Sequence, residues 1–140
     1  MKASLKKNAP LKVIFDSNAL FIPLKFNIDI FEELRQLLKR NAEFILLSPV
    51  KHELELLAAA DSPKSSRQAS FALHLAEKCK IVPVETLGEP TDDVIIRVAK
   101  KWSSPVFTND RVLKRRLRDI SVPVIYLRQK SRLDIDGFIS

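Results

Sequence analysis

The chain has 140 residues and a mass of 16.0 kDa, and 46% of its residues are hydrophobic. That is enough for one ordinary core burying about two-thirds of the unfolded surface. One cysteine, Cys79, and two histidines exclude an intrachain disulfide framework and a Cys/His zinc site, and favour a reducing, cytoplasmic setting. A formal charge of +7 and a pI near 9.7 favour polyanionic partners, and no run approaches the ~18 apolar residues of a membrane span.

Residues 1–10, MKASLKKNAP, read as a basic tail without a signal-peptide cleavage pattern, and residues 11–140 as a single domain. The first predicted strand, Lys12 to Phe15, ends on Asp16, followed by Ser17 and Asn18. An aspartate there could start a turn, cap a helix or serve as a ligand. A helix is predicted from Ile28 to Arg40 and a strand from Phe44 to Leu47. The next helix, Pro49 to Ala60, has Ser48 as its expected N-cap. On its wheel Val50, Leu54 and Leu57 define an apolar arc that includes Glu53, whereas Glu55 pairs outward with Lys51. A glutamate on a buried face needs a partner or a metal, which makes Glu53 a candidate.

The stretch 60–68, ADSPKSSRQ, reads as an exposed connection, leading to a helix from Ser65 to Lys78 and a strand from Ile81 to Val84. The helix Asp92 to Trp102 has Thr91 as its expected cap. Asp92 shares a face with Ile95, Ile96 and Ala99, while Asp93 lines up with Arg97 and Lys100; both acids could also simply favour the positive end of the helix. A strand from Val106 to Thr108 then meets Asn109 and Asp110, repeating the grammar of the opening stretch, and Asp110 could be only the N-cap of the helix Arg111 to Ile120. A fifth strand is predicted from Val124 to Leu127.

This alternation predicts an α/β sandwich around a mostly parallel five-stranded sheet, with the site beyond the carboxyl ends of its strands. Two glycines, Gly88 and Gly137, exclude a Gly-rich phosphate loop. Carboxylates gathered on one sheet edge repel one another unless a cation neutralises them. Oxygen-only ligands select hard ions such as Mg²⁺ or Mn²⁺, and such an ion beside a basic surface points to phosphodiester hydrolysis.

The basic surface is concentrated: Arg97 to Arg132 holds eleven Lys or Arg against two acids. In the helix after Asp110, Leu113, Leu117 and Ile120 form the apolar stripe, and Arg111, Lys114, Arg115 and Arg118 share another face. These four are expected to position a nucleic-acid backbone, which the resemblance described below makes RNA, although the run also reads as a solvated face. His52 and His74 are expected to be surface or structural, and Phe21, Phe26, Phe31 and Trp102 to be core or interface and not base-stacking platforms.

Taken in order, VIFDSNALF, SPVKHELELL, DDVIIRVA and VFTNDRVLKRRL resemble the PIN-domain ribonucleases over nearly the whole chain. FDSNALFIPLKFNIDIFEEL is more similar to the archaeal and eukaryotic branch containing small-subunit rRNA-processing nucleases than to bacterial toxin nucleases. The resemblance implies a three-layer α/β/α fold, Mg²⁺- or Mn²⁺-dependent endoribonuclease activity with one or two ions, and dimerisation. Its acidic positions fall on Asp16, Glu53, Asp92 and Asp110, with Asp93 a further candidate for a second ion. Ser17 stands where this branch more often has Thr, and its hydroxyl is expected to orient Asp16; Asn109 is a second supporting residue. The rival readings are a non-catalytic RNA-binding or ribosome-assembly factor of the same fold, and a toxin ribonuclease restrained by a protein antitoxin.

Overall fold

The computed structural model describes residues 9–140; most of the basic tail therefore lies outside the described residues. Five strands, β1 (Leu11–Phe15), β2 (Ala42–Leu47), β3 (Lys80–Val82), β4 (Val106–Phe107) and β5 (Val124–Arg128), run parallel. A sixth, β6 (Arg132–Asp136), folds back antiparallel on β5. The order is β3-β2-β1-β4-β5-β6. Sequence reading finds the five parallel strands and misses β6, because RLDID has too little apolar content to stand out.

The helices are α1 (Ile22–Phe26), α2 (Ile30–Leu38), α3 (Ser48–Ala58), α4 (Pro63–Leu75), α5 (Thr91–Trp102) and α6 (Arg111–Asp119), with 3-10 turns at Ser17–Phe21 and Ala76–Lys78. Together with the sheet they make the α/β/α sandwich expected from the alternation. The helix expected to begin at Ile28 starts later, because Asp29 accepts a bond from the Glu32 N–H and caps it. Two expected caps are corrected. Ser48 is the first residue of α3, and its hydroxyl reaches sideways to accept from the Val84 N–H at 3.1 Å. Thr91 likewise lies inside α5, whose N-cap is Pro90. At α4 the helix begins within the stretch read as a connection, with Pro63 at its first turn and the Ser62 hydroxyl capping Ser65.

What positions the site is the junction of β1 and β4. Chain order runs outward from β1 to β2 and β3 on one side, and from β4 to β5 on the other. The β1–β4 boundary is therefore the topological switch point of the sheet, where connections diverge and leave a crevice beyond the strand ends. Beneath it Phe15 stacks on Phe31 with centroids 5.8 Å apart and meets Phe107 edge-on at 5.2 Å. Phe15, Phe31 and Phe107 are fully buried, so the residues that follow Phe15 and Phe107 leave the sheet from a rigid base. Among the described residues no helix is long and apolar enough to cross a membrane.

Candidate metal centre

Asp16 follows β1 immediately and is only 5% exposed. Both its oxygens are engaged: Oδ1 accepts from the Ser17 N–H at 2.8 Å, and Oδ2 accepts from the Thr108 hydroxyl at 2.7 Å. Thr108, fully buried at the end of β4, also accepts from the Asp110 N–H at 3.1 Å. A chain of bonds thus runs from the Asp110 backbone through Thr108 to Asp16, each link polarising the next. Asn18 ties the same two segments, its Oδ1 accepting from the Asn109 N–H at 2.9 Å. The Asp16 N–H donates to the Phe107 carbonyl at 2.9 Å, closing the β1–β4 junction below them.

These bonds correct one expectation. Ser17 contributes its backbone to Asp16, and the hydroxyl that orients the carboxylate belongs to Thr108, across the sheet. Asn109 supports the site through its backbone N–H. Thr108 is the residue that sequence reasoning missed. Its sequence signal was the hydroxyl two residues before the capping Asp110, a local turn pattern, but its partner lies 92 positions away.

Asp110 caps α6, its Oδ1 accepting from the Val112 and Leu113 N–H groups at 2.8 and 3.2 Å. The capping role and the ligand role are therefore compatible: one oxygen fixes the side chain and the other is left for a ligand. Asp92, in the first turn of α5, is half-buried. Burial pushes the Asp16 carboxyl up to about 6, the charges of Asp92 and Asp110 push the same way, and the bonds from Thr108 and Ser17 oppose them. Asp92 is raised chiefly by burial and then by Asp110, against the pull of Arg116. The structure thus brings Asp16, Asp92 and Asp110 into one electrostatic cluster.

Glu53 stands apart from this cluster, whereas Asp93 adds its charge to that around Asp92. Leu57 is 43% exposed, so the buried side of α3 is Val50 and Leu54, and Glu53 is exposed instead of lying inside the arc. Its charge is not among those acting on Asp16 or Asp92. Asp93 is held by Arg116, whose Nη2 donates to Oδ1 at 2.6 Å, and not by Arg97 or Lys100. Arg97 turns instead to Glu89 and the Glu85 carbonyl, and Lys100 to the Ile120 carbonyl.

On α6, Leu113 and Leu117 are buried and Ile120 is half-buried, as the stripe predicts. The four cations expected to share a face do gather around one recess with Asp136. Asp136 bonds Arg118 at 3.2 Å and stands 3.5 Å from the Lys114 ammonium, so these two are tethered to β6. Among the described residues neither Arg111 nor Arg115 takes part in an ion pair.

Among the described residues no three Asp, Glu, His or Cys side chains stand close enough to clasp one ion directly. The donor set is nevertheless chemically specific: carboxylate oxygens in a mutually repelling cluster that Arg116 offsets in part. It suits a hard divalent ion that keeps part of its water shell, and does not suit zinc.

A pH consequence follows from Asp16. With a folded value of about 6 against an ordinary 3.8, the folded protein binds the extra proton between those values. Stability conferred by this group is therefore undiminished below pH ~4, falls as pH rises through that window, and stays lower above it, by about 3 kcal/mol as an order of magnitude. In EDTA, the difference in melting temperature between Asp16→Asn and the native chain is expected to grow from pH 4 to pH 6.5 in favour of the variant. A flat difference would contradict the burial of an ionisable Asp16.

The chain matches, over residues 13–130, the family model described as a PIN like domain. It is 30% identical over 129 residues to "Ribonuclease VapC4" of Methanocaldococcus jannaschii, covering 91% of this chain and 98% of that protein. It is also 30% identical over 137 residues to "Ribonuclease VapC9" of Archaeoglobus fulgidus, covering 97% and 98%. Among solved structures it superposes on the PIN domain endonuclease Utp24 with a TM-score of 0.78 and 27% identity, over 93% of this chain and 94% of that one. A domain of a functionally unknown protein from Methanocaldococcus jannaschii shares the fold, with a TM-score of 0.61 at 18% identity.

Proposed function

Because this chain belongs to the PIN-like domain family, we propose that the Asp16–Asp92–Asp110 cluster is the divalent-metal centre of an endoribonuclease. The observation that carries the assignment is the junction of β1 and β4. A buried carboxylate with its proton affinity raised to about 6 is held there by Thr108 and feels the charges of two further acids. Evolving such repulsion into a fold costs stability, and a cation removes that cost.

When bound, Mg²⁺ or Mn²⁺ supplies a hydroxide-like nucleophile from water and neutralises charge developing on phosphorus. The chain's own contributions are positional. Thr108 and Ser17 fix both oxygens of Asp16, so that its orientation toward the crevice does not drift. Asp110 is clamped by its capping bonds and offers its second oxygen. Arg116, pinned by Asp93, partly offsets the charge of Asp92 and keeps the cluster from expelling its own acids. Asp93 is thereby assigned to holding Arg116 in preference to a second ion. Glu53 is exposed on α3 and stands apart from the three-acid cluster, so a role in ordering the attacking water rests on the family resemblance alone. The basic face of α6, Arg111 and Arg115 foremost, is assigned the RNA backbone.

The substrate proposed is structured RNA, with ribosomal RNA suggested by the branch that the first segment resembles. A dimer in the cytoplasm belongs to the same reading. A second reading, a toxin ribonuclease held by a protein antitoxin, is favoured by the two relatives named VapC. It predicts growth arrest on expression of the native chain alone. The test of the activity is incubation of mixed structured RNA with Mn²⁺ or Mg²⁺ and with excess EDTA. Internal cleavage that EDTA abolishes is expected. Binding without cleavage under every condition would promote a scaffolding role.

A further inference from the structure

The β5–β6 hairpin carries features that the metal centre does not use. A cleft of about 410 Å³ lies between this hairpin and the N-terminal turn of α6, and shares Thr108, Asn109 and Asp110 with the metal centre as one wall. Its other walls bring Arg111, Lys114, Arg128 and Lys130 together with two aromatic rings, Phe26 and Tyr126. The Lys114 ammonium sits 3.5 Å from the centre of the Tyr126 ring. Arg128 is steadied by Asp134, which accepts from its Nη1 at 2.8 Å, and the remaining guanidinium donors are available to an anion.

The hairpin tip is also conformationally unusual. Gln129 and Lys130 both lie in the left-handed region, with φ of +54° and +58°. Hairpin turns that need two such residues are ordinarily built with Asn and Gly, which adopt them without strain. Here the positions hold two long polar side chains, and both residues line the cleft, the second a cation. Two adjacent non-glycine residues in this region carry a conformational cost, and here they place a cation at the edge of the cleft.

Resting on the nuclease reading above, we infer that this cleft is a nucleotide subsite: it seats one unpaired nucleotide of a single-stranded RNA next to the scissile phosphate. Arg111, Arg128 and Lys130 engage its phosphates, and Tyr126 and Phe26 border its base. The mixture of cations and rings suits single-stranded nucleic acid, whose bases are free to meet an aromatic surface. Phe26, assigned from its sequence pattern to core or interface, is half-buried against the core and also lines the cleft.

The test is fluorescence anisotropy of a labelled ten-nucleotide single-stranded RNA in EDTA, across a salt series. The native chain is compared with Lys130→Gly, Lys130→Glu and Tyr126→Leu, and each variant's Mn²⁺-dependent cleavage is measured in parallel. Lys130→Gly relaxes the turn, so its melting temperature should not fall; its affinity is expected to drop several-fold, with the logarithmic salt slope reduced by about 0.7. Lys130→Glu should lose more. Tyr126→Leu should lose roughly tenfold, because the ring both borders the base and seats the Lys114 ammonium.

Native-like affinity and slope in both Lys130 variants would overturn the subsite while leaving the nuclease reading intact if the native chain still cleaves. So would equal, Lys130-dependent binding of a duplex of the same sequence. Loss of affinity on Lys130 substitution in a chain that never cleaves would support the subsite and remove the nuclease reading.

Discussion

Asp16→Asn is expected to lower RNA cleavage by roughly a thousandfold, the several kcal/mol that a lost metal ligand removes from transition-state stabilisation. At the same time it should raise the melting temperature of the metal-free protein at pH 7.5 by several degrees. Both effects have one cause. Asp16 is buried and faces two other acids, so its ionised form is held in the fold against desolvation and repulsion. The amide removes that charge without removing the frame. Its oxygen can still accept from the Ser17 N–H, and the Thr108 hydroxyl, no longer needed by a carboxylate, can turn its proton toward Asn18 Oδ1 at 3.4 Å. Cleavage assays beside melting curves in EDTA check both halves. A variant that is inactive because it has unfolded would contradict the account as surely as an active one.

Thr108→Val is expected to weaken divalent-ion binding about 10- to 100-fold, the usual consequence of removing a group that orients a ligand. The isopropyl group fills the same space but deletes two bonds, the one donated to Asp16 and the one accepted from the Asp110 N–H. The second loss leaves a backbone donor without its partner and should cost about 1–3 kcal/mol of stability. The first removes one of the two bonds that favour the ionised Asp16, so its proton becomes harder to displace. Thr108→Ser keeps the hydroxyl and should restore both properties to near the native level. Ion affinity measured by titration, with the Val and Ser variants side by side, separates this positioning role from simple loss of packing.

The contrast between Asp16 and Glu53 shows what sequence could supply. An apolar strand ending in an acid, met by a second strand ending in Thr-Asn-Asp, is a local pattern, and the parallel sheet places both at one edge. On α5, whose buried side is Val94, Ile95, Val98 and Ala99, Asp92 and Asp93 are both half-buried, and of the two only the charge of Asp92 acts on Asp16. The wheel of α3 misleads. Leu57 lies near the end of a helix that packs on α4 as well as the sheet, and its exposure breaks the arc on which the placement of Glu53 depended. Apolar residues at an exposed surface are common, so one leucine cannot define a buried face.

Other features were illegible for a different reason. The bond between Thr108 and Asp16, the pairing of Arg116 with Asp93, and the tethering of Lys114 and Arg118 by Asp136 all join residues from separate elements. Strand order decides these meetings, and periodicity along one segment carries no information about it. The sixth strand was missed because it is held by pairing with β5, not by its own apolar content. Yet β6 supplies Asp134 and Asp136, which set how the basic residues around the cleft and α6 are arranged. Boundaries shifted for local reasons, as at α2, where the Asp29 cap overrode the earlier start suggested by Ile28.

The most direct measurement of the central claim is a titration of Mn²⁺ into the native chain and into Asp16→Asn, following free Mn²⁺ by electron paramagnetic resonance at pH 7.5. The native chain is predicted to take up Mn²⁺ saturably, and the variant, though folded, to lose that uptake. Equal saturable binding by both would contradict a metal centre built on Asp16.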